Sequence, residues 1–88
     1  METFKLTNRQ METALKVKFD LYHMEGMYQE DDHARYFLAI IKEELPTTLF
    51  FESRLVTVDI KVEHDNERVS MKELGQEDWE PIGMMVDY

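Results

Sequence analysis

The feature that most constrains the fold is a run in which Val56, Val58, Ile60 and Val62 alternate with Thr57, Asp59, Lys61 and Glu63. A period of two sends successive side chains to opposite faces, so the run predicts a strand with one apolar and one polar side. A second alternating run, Arg68 to Lys72, follows the turn residues His64 to Glu67, which include Asp65-Asn66. Pairing Glu63 with Arg68 sets Val62 opposite Val69, Ile60 opposite Met71 and Asp59 opposite Lys72. One register satisfies both faces, which predicts an antiparallel hairpin with Val58, Ile60, Val62, Val69 and Met71 turned toward the core. Leu49 to Phe51 extends the first strand past an irregularity near Ser53. Ile82, Met84 and Val86 alternate as a third strand after Gly75, with Met85 and Tyr88 on its other side.

Ahead of the hairpin the spacing is helical. Thr7 and Gln10 have capping-box spacing, and Leu6 and Met11 fall where a hydrophobic staple lies. Met11, Leu15, Phe19 and Tyr22 then draw one apolar stripe, widened by Val17, Leu21 and Met24, until Gly26 offers a stop. Asp31 or Asp32 can cap a second helix over Arg35 to Leu45, where Tyr36 or Phe37, Ile40, Ile41 and Leu45 fall at helical spacing and Pro46 ends the run. The expected order is ααβββ. This is an α+β fold, with two N-terminal helices packed on one face of a small three-stranded antiparallel sheet. At 88 residues the whole chain, 1–88, is expected to make a single compact domain of marginal stability.

Few chemistries are open to such a chain. It has no cysteine, hence no disulfide, thiolate metal site or cysteine nucleophile. His23, His33 and His64 are scattered singly, without the helical pairing of a metal site, and Asp31, Asp32 and His33 lack the spacing of a calcium loop, as do Glu63, His64 and Asp65. Ordinary capping and turn chemistry explains both acidic trios. The glycines, Gly26, Gly75 and Gly83, form no phosphate-cradling loop, and there is no nucleophile elbow. We therefore expect no enzyme, no cofactor and no metal. Direct nucleic-acid binding is not expected either, since Arg9, Lys16 and Lys18 are outweighed by the acids that follow. Met1-Glu2-Thr3-Phe4 shows no basic segment leading into an apolar run, and no apolar stretch approaches the roughly 18 residues of a membrane span. The expected setting is the cytoplasm.

The charge is more informative. The net charge is −9, yet all of it resides in two stretches without Lys or Arg, residues 19–34 and 73–88, which hold five carboxylates each. The other nine acids face ten basic residues, so the remainder is balanced. Segregated charge produces a directed field. Aromatic residues sit among the acids: Phe19, Tyr22 and Tyr28 in the first stretch, Trp79 and Tyr88 in the second. Seven methionines are explained mostly as core filling at Met11, Met24, Met71 and Met84, leaving Met27 and Met85 as contact candidates. The expected partner-binding residues are Glu73, Glu77, Asp78, Trp79, Glu80, Asp87 and Tyr88, with Glu30, Asp31 and Asp32 behind them. The expected partner is a basic protein, one that itself binds DNA or RNA.

In size, acidity and compactness, though in no defined motif, the chain is similar to small acidic phage-encoded inhibitors, such as anti-restriction and anti-CRISPR proteins. That likeness implies a non-enzymatic nucleic-acid mimic that occupies a basic channel of a host defence protein. Two alternatives share the sequence features: an antitoxin or immunity protein masking a nuclease, and a homodimeric structural or regulatory module joined through a sheet edge or helix pair.

Overall fold

The structure, a computed structural model, describes residues 6–46 and 51–85, apart from the side chains of residues 45, 46 and 51. It contains one helix, α1 (Asn8–Lys18), followed by β1 (His23–Glu30), β2 (Ala34–Pro46), β3 (Phe51–Glu63), β4 (Arg68–Glu73) and β5 (Glu80–Met84). The strands form one sheet in the order β1-β2-β3-β4-β5, each antiparallel to its neighbour. The expected two helices on three strands are thus overturned: the molecule is mostly β.

Both local readings with a complete physical signature hold. Thr7 caps α1 with the reciprocal bonds of a capping box: Gln10 N–H donates to Thr7 Oγ1 at 3.2 Å and Thr7 N–H to Gln10 Oε1 at 2.9 Å. The β3–β4 hairpin has the expected register, with Val62 opposite Val69, Ile60 opposite Met71 and Asp59 opposite Lys72. Val58, Ile60, Val62 and Val69 are buried with Met11, Leu15 and Phe37 in the core between helix and sheet, and Met71 packs at its margin. In the connecting turn, Asn66 Oδ1 accepts the Arg68 N–H at 2.9 Å, and Glu67 takes a positive φ of 56°.

The departures lie elsewhere. α1 ends at Lys18, well before Gly26, because Asp20 adopts the left-handed conformation, φ 52°, which aspartate tolerates better than most residues. Val17 and Tyr22, assigned to the buried stripe, are exposed. Residues 34–46 form β2 and not a second helix. Tyr36 to Ile41 is an unbroken apolar run, which helix and central strand can both produce. β2 lies between β1 and β3, with Phe37 and Ala39 in the core and Leu38 and Ile40 half-buried on the reverse face. Burial on both sides erased the alternation that marks a half-buried strand. Asp31 does accept backbone N–H groups, those of His33 at 2.8 Å and Ala34 at 2.9 Å, but it closes the β1–β2 turn and caps no helix.

β3 shows no irregularity at Ser53, and its pairing with β2 is unbroken from Phe51 to Glu63. Leu49 and Val86, assigned to strands, lie outside the described residues. Near the C-terminus the assigned phase inverts: Met85 is buried, and Met84 is 39 % exposed. A register shift between Val69 and Ser70 and the positive φ of Gly83, 153°, reset the alternation. A Cβ at Gly83 would stand 3.1 Å from the Phe19 ring, so this glycine also permits β5 to close against the end of α1.

One part of the sheet stands apart. β1 reaches along β2 only to Ile40, and β4 reaches along β3 only to Val58. Residues 41–46 and 51–56 therefore continue as a two-stranded arm, and the largest extent of the molecule is 57 Å.

Candidate functional site

Helix α1 covers one face of the sheet. On the reverse face, the polar side of the hairpin meets three aromatic rings. Because Val58, Ile60 and Val62 point inward, Asp59 and Lys61 must point outward, as does Lys72 opposite Asp59. Tyr28 reaches across from β1 and donates from Oη to Asp59 Oδ1 at 2.6 Å, which supplies this nearly buried carboxylate, 8 % exposed, with a partner. Tyr36 lies 6.4 Å from Tyr28 and 6.1 Å from Trp79 between ring centroids, both pairs tilted near 45°, within the favourable range for aromatic contacts. Lys61 Nζ and Lys72 Nζ sit 4.9 Å and 4.6 Å from the Trp79 centroid, so two cations hold the indole against the sheet.

This row joins the two acidic stretches. Tyr36 Oη donates to Asp31 Oδ2 at 3.1 Å while its ring meets Trp79, so Asp31 and Trp79 flank one side chain despite their distance in sequence. The backbone N–H groups of His33 and Ala34 hold the Asp31 carboxyl below its ordinary range, helped by the Tyr36 hydroxyl. Burial, then the carboxylate each donates to, raises the Tyr28 and Tyr36 phenols above their ordinary value.

The expected contact residues divide by surroundings. In the first stretch, Glu30 Oε2 lies 3.5 Å from both Arg35 Nε and His64 Nε2, and Asp31 closes its turn, so both have local tasks. Arg35, itself buried, also donates from Nη1 to the Leu6 carbonyl at 2.8 Å and ties the start of α1 to the sheet. Asp32 is exposed, with no hydrogen bond or ion pair among the described residues.

In the second stretch, Glu73 lies 4.0 Å from Arg54 Nη2 and bonds Gln76, so this acid does have a basic neighbour in the fold. Glu77, Asp78 and Glu80 are exposed, and their side chains make no hydrogen bond or ion pair among the described residues. Trp79 turns to the open face, whereas Asp78 and Glu80 border a cleft lined by Ile41, Val58 and Met71 and also by Lys42, Arg54 and Lys72. Asp87 and Tyr88 lie outside the described residues. Met85, a contact candidate, is core.

Tyr28, Tyr36, Asp59, Lys61 and Lys72 were missing from the expected contact residues. Lys61 and Lys72 were legible as the hairpin's outward side once its register was read. Tyr36 was not, because its stretch read as a helix. No group of three or more histidine and acidic side chains among the described residues is placed to hold a metal ion, and no described helix is long and apolar enough to cross a membrane. A scan of protein-family models finds none that matches the chain, and neither a curated protein nor a solved structure matches it.

Proposed function

We propose that this chain is a non-enzymatic acidic binding protein that docks on a basic protein surface of the kind that holds DNA or RNA, and occludes it. The observation that carries this reading is Trp79, a ring fixed on the sheet, next in the chain to Glu77, Asp78 and Glu80, exposed carboxylates that form no ion pair among the described residues. Unpaired like charges repel and lower stability, so stability alone does not account for them. Unpaired carboxylates accelerate encounter with a basic surface, and a preorganised aromatic ring supplies short-range contact after encounter. An inhibitor of a nucleic-acid-handling defence protein would use this physics, as would an immunity protein masking a nuclease.

The test is affinity purification with the tagged chain from a bacterial lysate at low and at high salt. A stoichiometric basic partner released by salt is the expected result. Changing Glu77, Asp78 and Glu80 together to Lys should then slow association about tenfold at ~50 mM salt, where screening is weak. Trp79→Ala should instead speed dissociation. Unchanged affinity after the triple reversal would remove this segment from the interface.

A further inference from the structure

The arm leaves two strand edges without a paired strand among the described residues: β2 beyond Ile40 and β3 before Thr57. The outer edges of β1 and β5 are protected. β1 carries two register shifts, and the Met27 N–H on it is taken by Glu12 Oε2 at 3.1 Å, while β5 is five residues long and contains Pro81 and Gly83. An open notch runs beside β3, bordered by Leu55, Thr57 and Leu74. Leu55 and Leu74 are 54 % and 62 % exposed along it.

Backbone phase says which groups on these edges are free. The Thr57 carbonyl accepts from Leu74 N–H on the β4 side, so by the period of two Leu55, Ser53 and Phe51 direct N–H and C=O outward there. On β2 the Ile40 carbonyl accepts from Tyr22 N–H, so Lys42, Glu44 and Pro46 are the outward residues. A two-fold axis normal to a sheet pairs residues of the same parity, so any closed self-pairing must be centred on a residue. Along β2, centring on Lys42, Glu43 or Glu44 stacks like charges on the axis, and Pro46 has no N–H to give. Along β3, centring on Ser53 puts a neutral residue on the axis, Glu52 opposite Arg54 twice, and Phe51 opposite Leu55 twice. The same register makes Ser53 a hydrogen-bonded pair, which the outward phase requires.

We infer that the chain forms a homodimer in which residues 51–55 of β3 pair antiparallel with the same residues of a second copy, about a two-fold axis at Ser53. The two arms then make a four-stranded bridge. Arg54 already lies 3.0 Å from Glu43 and 4.0 Å from Glu73, and its exposed guanidinium has donors to spare for the Glu52 of the second copy. This inference does not depend on the binding reading above.

The test is sedimentation of the full chain from about 1 to 200 µM, a range that brackets micromolar self-association. Wild type should pass from monomer to dimer. Glu52→Arg alone and Arg54→Glu alone should each raise the dissociation constant about tenfold or more, since each sets like charges face to face twice. An equimolar mixture of the two variants should regain the dimer, because both cross-strand pairs become opposite again. Ser53→Pro removes an outward N–H without touching the ladder to β2 and should abolish the dimer, giving an independent test if Arg54→Glu does not fold. Wild type that stays monomeric throughout would overturn the inference, as would variants that dimerise like wild type or a mixture that fails to recover.

Discussion

Residues 58–62 and 52–56 belong to one uninterrupted strand, yet Val58, Ile60 and Val62 are buried, whereas Val56 is half-buried and Leu55 is 54 % exposed. The difference lies in the neighbours. The C-terminal half of β3 has β2 on one side, β4 on the other and the core against one face, while among the described residues the N-terminal half pairs with β2 alone and only Val56 reaches the margin of the core. Alternation tells which side chains share a face, and flanking strands decide whether that face is covered. The covered half builds the core and the aromatic row. The uncovered half keeps outward backbone groups and is suited to pairing with another chain.

The sharpest way to break this contrast is cavity formation in the covered half. Ile60→Ala should cost about 2–5 kcal/mol in chemical denaturation, because close packing on all sides prevents collapse around the missing atoms. A loss below about 0.5 kcal/mol, the scale of an ordinary surface change, would show that the two halves are energetically alike. Next in size is Tyr28→Phe, which leaves the Asp59 carboxylate without the phenol and should cost about 1–3 kcal/mol. Trp79→Ala follows, at about 1 kcal/mol in the free protein, since two partly exposed cation–π contacts and some buried area are lost. A much larger effect would make Trp79 a core residue. Leu55→Ala, in the uncovered half, should stay within about 0.5 kcal/mol at concentrations where the chain is monomeric.

The smallest effects are those of pH. Tyr28 and Tyr36 have raised values in the fold, so their stabilisation is complete below the ordinary value of 10.0 and declines as pH rises above it. Asp31 is lowered, so its contribution is present above the ordinary value of 3.8 and is lost as pH falls below it. Melting temperatures across both ranges should therefore fall at each extreme, and Tyr28→Phe should flatten the alkaline slope. An alkaline slope unchanged by that substitution would assign it to other groups.

The same dependence on neighbours governed what could be read from the candidate site. The carboxylates at Glu77, Asp78 and Glu80 were evident from the absence of Lys and Arg nearby in sequence. The pairing of Asp59 with Tyr28, the stacking of Trp79 on Lys61 and Lys72, and the proximity of Glu73 to Arg54 join segments far apart in the chain. No local spacing encodes them.

By itself the sequence determined the start of α1 and the β3–β4 hairpin. A capping box is complete within four residues, and only one register of two alternating runs pairs apolar with apolar and acid with base. Only the tertiary structure decided residues 19–46. There the turn at Asp31 suits a helix start and a hairpin equally, and the run Tyr36–Ile41 carries no period of its own. Sheet neighbours on both sides selected the strand, because β2 pairs with β3 along its whole length, from Ala34 to Pro46, and on its other edge with β1 from Arg35 to Ile40. An isolated helix of that length would have formed neither set of contacts.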